Sequence, residues 1–141
     1  MNRVEYWFVL AVLSAFFAAL VAIFAKVGLQ GVDSSVGTGA RAIVMALFIL
    51  LLVVSTGKGP ELIRFTSRDM GFIILSGVAG ALSWLFYFAA LKLADASKVA
   101  IVDRASVLIV LVLAAVFLSE KITLRTATAG VLIFIALLLL T

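Results

Sequence analysis

Uncharged runs close to the length of a bilayer crossing recur along this chain, separated by short polar connections, and they leave few folds open. Tyr6 to Ala25 is 20 residues without a charge, and Met70 to Leu91 is 22. About 20 apolar residues, wound as a helix, cross a hydrocarbon core about 30 Å thick. Lipid offers no hydrogen-bond partners, so each backbone N–H and C=O in such a run must be paired within the helix itself. Composition agrees, with 66% hydrophobic and 13% charged residues among 141. A soluble domain is nearer half apolar and a quarter charged. The polar remainder is too small for a separate soluble domain.

What is missing narrows the chemistry. The chain has no cysteine and no histidine, which removes thiol chemistry, the commonest metal ligand and the commonest general base. No metal site and no cofactor are expected. The net charge of +4 comes from basic residues at the ends of apolar runs, where Lys and Arg meet lipid headgroups. That scatter argues against a nucleic-acid partner. The first run outlasts the 7–15-residue core of a cleavable signal and meets no small-residue cleavage site. It is expected to stay as an anchor and working helix.

In order along the chain, Tyr6, Trp7 and Phe8 open the first run as an interfacial anchor. Ala11, Ala15, Ala18 and Ala22 follow at helical spacing and would let a neighbouring helix approach closely. Lys26 closes the run, either snorkelling to headgroups or standing at the mouth of a substrate cavity. Asp33-Ser34-Ser35 reads as a helix start. The second run, Ala42 to Gly57, has only 16 residues, about 24 Å of helix. It spans only if Arg41 enters the membrane, within snorkelling reach of the surface. Residues 57–69 hold the single proline and read as a solvated loop.

The third run is the most patterned. Ser76, Gly80, Ser83, Trp84 and Tyr87 fall on one helical face. Small, hydroxylic and amphipathic aromatic residues together suit a cavity for an organic substrate. Helix packing through Gly and Ser, with the aromatics in an interfacial belt, is the plainer reading.

The fourth run, Lys98 to Glu120, takes Asp103 and Arg104 with it, because the 15 uncharged residues from 105 to 119 cover only about 22 Å. Ionisable groups at membrane depth point to function. Asp103 shares a face with Ser106, while Arg104 points about 100° away from Asp103. Adjacent helical residues do not pair, so a partner for either must come from elsewhere. Arg41, Lys26 and Arg104 of a second copy are the candidates for Asp103. Its short side chain cannot snorkel far, and buried alone it would take up a proton. The last run, from Ile122 to Thr141, completes five spans, near 6–26, 37–56, 70–91, 99–119 and 122–140.

The pieces Ala94-Asp95-Ala96-Ser97-Lys98-Val99-Ala100, Asp103-Arg104-Ala105-Ser106 and Phe117-Leu118-Ser119-Glu120-Lys121-Ile122-Thr123, in a five-span order, resemble an EamA-type domain. That domain belongs to the drug/metabolite transporter superfamily, and the match is to its short, single-domain members. The opening Ser14–Ser34 stretch and the start at Arg41 look similar too, so the resemblance covers essentially the whole chain, residues 1–141. It implies an all-α polytopic membrane protein of five transmembrane helices with termini on opposite sides. Such a chain would be one inverted-repeat unit of a two-unit transporter in a bacterial inner membrane. Where relatives often have a proline two residues before the aspartate, this chain has Ile101, which puts a proline-made kink in doubt. Arg104, where many have lysine, keeps the charge without a shiftable pKa.

The expected activity is transport or export of a small organic compound by alternating access. The partners expected are lipid, substrate and a second copy, antiparallel, or a homologous half. Basic residues divide six (Arg3, Lys58, Arg64, Arg68, Lys121, Arg125) against five (Lys26, Arg41, Lys92, Lys98, Arg104) between the two sides of a five-span chain. That balance fixes no orientation and suits insertion both ways round. Ser76, Gly80, Ser83, Trp84, Tyr87, Lys26 and Arg41 are the substrate-cavity candidates, with Lys26 and Arg41 favouring anionic groups. Asp103, Arg104 and Ser106 are the coupling or gating candidates. The rival reading is a non-transporting scaffold whose small-residue faces serve packing alone. No catalytic cluster suggests an enzyme.

Overall fold

The computed structural model describes residues 3–140, and all regular structure among them is helical. The helices are α1 (Arg3–Gly28), α2 (Ser34–Ser55), α3 (Ser67–Leu93), α4 (Ala96–Asp103), α5 (Ala105–Phe117) and α6 (Leu124–Leu138). Four stretches are long and apolar enough to cross a membrane: Tyr6–Gly28, Ser34–Ser55, Ser67–Leu93 and Ala96–Phe117, the last being α4 and α5 together. The α6 helix is shorter, 15 residues or about 22 Å. Two compact units divide the chain, one of Met1–Ile23 with Leu93–Thr141, the other of Phe24–Lys92.

Local chemistry sets the helix ends. The Asp33 side chain accepts from the amides of Ser35, at 2.8 Å, and Val36, at 3.3 Å. It thereby satisfies donors that the first turn of α2 leaves unpaired. Those two amides hold the Asp33 carboxyl below the ordinary carboxylate range. The other end of α2 closes on Gly57, at φ 72°, with Lys58 N–H reaching the Val53 carbonyl at 3.0 Å and Gly57 N–H reaching Val54 at 3.0 Å. This is the left-handed glycine closure of a Schellman turn. The loop beyond contains one 3-10 turn, Gly59–Ile63, with Pro60 at its start. Ahead of α3, the Thr66 hydroxyl accepts from Asp69 N–H at 3.2 Å while Thr66 N–H donates to the Asp69 carboxylate at 3.0 Å. The pairing is reciprocal, as in a capping box.

Within Phe24–Lys92, Arg41 near the start of α2 meets Trp84 near the end of α3. In the other unit α5 packs along α6, and α4 touches both. Gly130 of α6 is buried beside the α5 side chains Leu108 and Leu111. An added Cβ would lie 3.0 Å from Leu111 Cδ1 and 3.5 Å from Leu108 Cδ2. Both are ends of flexible side chains. Gly130→Ala should therefore leave stability within about 1 kcal/mol, because the gain in helix propensity offsets the crowding. Gly130→Leu should destabilise by about 1–3 kcal/mol through overpacking. Unfolding of the full chain by SDS titration from mixed micelles checks both; equal effects would show that α6 does not approach α5 through this residue.

The membrane character shows most plainly in what is left uncovered. The buried hydrophobic side chains among the described residues are Ala22, Ala25, Phe88, Leu91 and Val99, whereas Phe17, Phe48, Phe72, Val110 and Leu132 are each about 60% or more exposed. Apolar surface so extensive needs lipid or protein against it.

Candidate functional site

An apolar groove of about 620 Å³ runs between α2 and α3. The α2 wall is Thr38, Arg41, Ala42, Met45, Ala46, Ile49 and Leu50; the α3 wall is Gly77, Gly80, Ala81 and Trp84. Both sets follow the three- and four-residue spacing of one helical face. Glycine and alanine on α3 leave the space, and methionine and the branched chains of α2 line it.

One end of the groove is chemically distinct. The Arg41 guanidinium lies over the Trp84 ring, 3.7 Å from its centroid, and 5.5 Å from that of Phe88. Trp84 in turn packs edge-on to Tyr87 at 5.6 Å and against Phe88 at 5.3 Å. A guanidinium on an aromatic face is held by the ring quadrupole. No carboxylate lines the groove.

The sequence-derived cavity candidates divide between places. Arg41, Gly80 and Trp84 line the groove, and Tyr87 joins it through the aromatic cluster. Ser76 and Ser83 are exposed and lie outside the groove lining. Lys26 lines a separate recess of about 330 Å³ with Ala25, Leu29, Gln30, Gly31, Leu91 and Lys92. There its ammonium donates to the Leu91 carbonyl, one of the four that the end of α3 cannot pair internally. Lys92 donates to the Val32 carbonyl at 2.6 Å. The two lysines thus tie the end of α1 and the following loop to the end of α3, with positive charge placed where the helix dipole favours it.

Asp103, Arg104 and Ser106 mark an interruption in the fourth run. Arg104 N–H bonds to Ile101 O at 3.1 Å and Val107 N–H to Arg104 O at 3.0 Å. These three-residue bonds tighten one turn between α4 and α5. The break therefore forms without the proline whose absence at Ile101 had put a kink in doubt. All three side chains are exposed. Among the described residues, the Asp103 carboxylate has no hydrogen-bond or ion-pair partner. The nearby pair Lys98–Asp95, at 3.2 Å, is itself solvent-facing.

Thr38, Met45, Gly77 and Ala81 were not singled out from the sequence. The signal was there: residues 38, 41, 42, 45, 46 and 49 keep one face, and Gly77, Gly80, Ala81 and Trp84 keep another.

The sequence profile of the EamA-like transporter family matches residues 5–141. The chain belongs to that family. It is also 42% identical over 120 residues to an "Uncharacterized transporter in cobO 3'region" from Sinorhizobium sp. That alignment covers 85% of this chain and 83% of the relative, so the two proteins have similar lengths. No solved structure matches. With four helices able to span, the EamA-like chain is an integral membrane protein of a transporter family, and that membership suggests a non-enzymatic role.

Proposed function

We propose that this EamA-like protein carries a small organic compound across the membrane by alternating access, as a dimer of five-helix units. The observation that carries the reading is the α2–α3 groove, open, apolar along its length and charged at one end, in a chain of a transporter family. Residues 1–141 act as one domain with α6 as the fifth span, which puts the termini on opposite sides. The partner is an antiparallel second copy or a homologous half, and the site is a bacterial inner membrane. A second unit would cover much of the apolar surface that one chain leaves exposed, and would bring a cation to Asp103. Arg104, Ser106 and the tightened turn beside them then form the gating region. Ser76, Ser83 and Lys26 face the translocation path in states other than the one described.

The test combines topology with uptake. Reporters active on only one side of the membrane, fused in turn to each terminus, should give signal from both sides for the same terminus. Cross-linking of the purified protein should give a band at twice its 15.0 kDa. Proteoliposomes offered labelled organic acids, amines and sugars should take up at least one above protein-free vesicles. A single clean orientation ends the antiparallel homodimer. A chain that takes up nothing and is stable only with another subunit is the scaffold.

A further inference from the structure

We infer that the α2–α3 groove binds an amphipathic organic anion, its carboxylate, phosphate or sulfonate on Arg41 and its apolar body along Met45, Gly77 and Gly80. The inference deepens the transport reading by naming the substrate class, and rests on that reading only for the word substrate.

Hydrogen-bond donors outnumber acceptors at the Arg41 end of the groove. Arg41 brings five N–H donors and a permanent charge. Its one described contact is the face of Trp84, with Phe88 beyond, which engages the π surface and leaves the N–H edges unbonded among the described residues. The Trp84 indole N–H likewise has no acceptor among them. Thr38, one turn before Arg41, donates its hydroxyl hydrogen to the Ser34 carbonyl at 2.7 Å. Everything else along the groove is Ala, Gly, Met, Ile or Leu. The wall thus offers donors in excess at one end, with no carboxylate to match them. In an apolar setting unmatched donors are expensive, and a planar oxyanion fits the guanidinium fork. A cationic or neutral solute would leave the charge unanswered.

The stacked ring makes binding readable without transport. In a Trp7→Phe background Trp84 is the remaining tryptophan of two, and its emission reports the groove. Butyl, hexyl and octyl phosphate are titrated into the full-length protein in phosphatidylcholine nanodiscs, against octanol and octyltrimethylammonium. Octyl phosphate should bind saturably and at least about tenfold more tightly than octanol, with affinity rising by up to about fourfold per methylene. Arg41→Gln should lose at least about tenfold. Arg41→Lys, which keeps the charge but not the fork, should fall between, with circular dichroism confirming that both variants are folded.

Equal binding of the trimethylammonium compound, or an indifferent Arg41→Gln, overturns the inference. Loss of the response in phosphatidylglycerol nanodiscs assigns the site to a lipid headgroup and also overturns it. Saturable, Arg41-dependent binding without uptake in proteoliposomes upholds the anion site and sinks only the transport reading. Uptake confined to non-anionic solutes does the reverse.

Discussion

Replacing Asp103 with asparagine is expected to cut gradient-driven uptake at least about tenfold while leaving passive exchange of the same solute within about twofold. Tenfold corresponds to about 1.4 kcal/mol, less than the several kcal/mol at stake when a carboxylate is moved into hydrocarbon. Asp103 lies seven residues into α4, about 10 Å along its axis, and immediately before the tightened turn at Arg104. Its carboxylate has no partner among the described residues, so in lipid it needs a proton or a cation from a second unit. Proton binding in one state and ion pairing in the other would give it different affinities in the two, which is what a coupling group requires. Asparagine keeps the shape and loses both options. Asp103→Glu should recover part of the driven rate. Undiminished driven uptake in the Asp103→Asn protein would remove this residue from the mechanism.

The second large effect concerns the aromatic cluster. Trp84→Ala should destabilise the protein by about 1–3 kcal/mol, because a half-buried indole leaves a void against Tyr87 and Phe88. Of this, about 0.5–2 kcal/mol should be the stack with Arg41. A double-mutant cycle of Trp84→Ala with Arg41→Ala isolates that part. SDS titration of the four proteins should show the two losses to be less than additive by that amount. Strict additivity would mean that the 3.7 Å approach contributes nothing, and would leave Arg41 without its anchor in the groove. Trp84→Phe, which keeps a ring but a weaker quadrupole surface and no N–H, should lose less.

The two experiments probe different regions of the chain and need not agree. Asp103 and the α4–α5 turn belong to Met1–Ile23 with Leu93–Thr141, while Arg41 and Trp84 belong to Phe24–Lys92. A carrier needs both a place for solute and a group that responds to the gradient. If Arg41 variants change affinity with the driven-to-passive ratio intact, and Asp103 variants do the reverse, binding and coupling are separable in this chain.

How much of this was written in the sequence varies from residue to residue. The long helices were legible, because lipid forces every backbone group in an apolar run to pair locally and the run length alone says helix. The start of α2 was legible in Asp33-Ser34-Ser35, since an N-cap is chemistry within three or four residues. That the second helix begins ahead of Arg41 was legible from the shortness of the uncharged run behind it. The break at Arg104 was not, for no proline or glycine marks it; it is visible only in the carbonyls that Arg104 and Val107 choose. Nor was the partition of the cations. Lys26 and Arg41 read alike as basic residues near the ends of apolar runs, yet one pairs with the terminal carbonyls of α3 and the other lies on an indole.

The face of α3 is a different case. On helix geometry Gly77 and Ala81 lie within about 60° of Trp84, whereas Ser76 and Ser83 lie about 80–100° from it, so the spacing already favoured the small residues. By itself the sequence determined that this chain is helical and apolar, and roughly where its long helices run. Only the tertiary structure decided that Gly77, Gly80 and Ala81 line one groove with Met45 and Ala46, and that Arg41 stands at one end of it. Helix formation in lipid is enforced residue by residue by hydrogen bonds within a few positions, whereas the rotation of one helix against another rests on small differences in packing between residues some 40 positions apart.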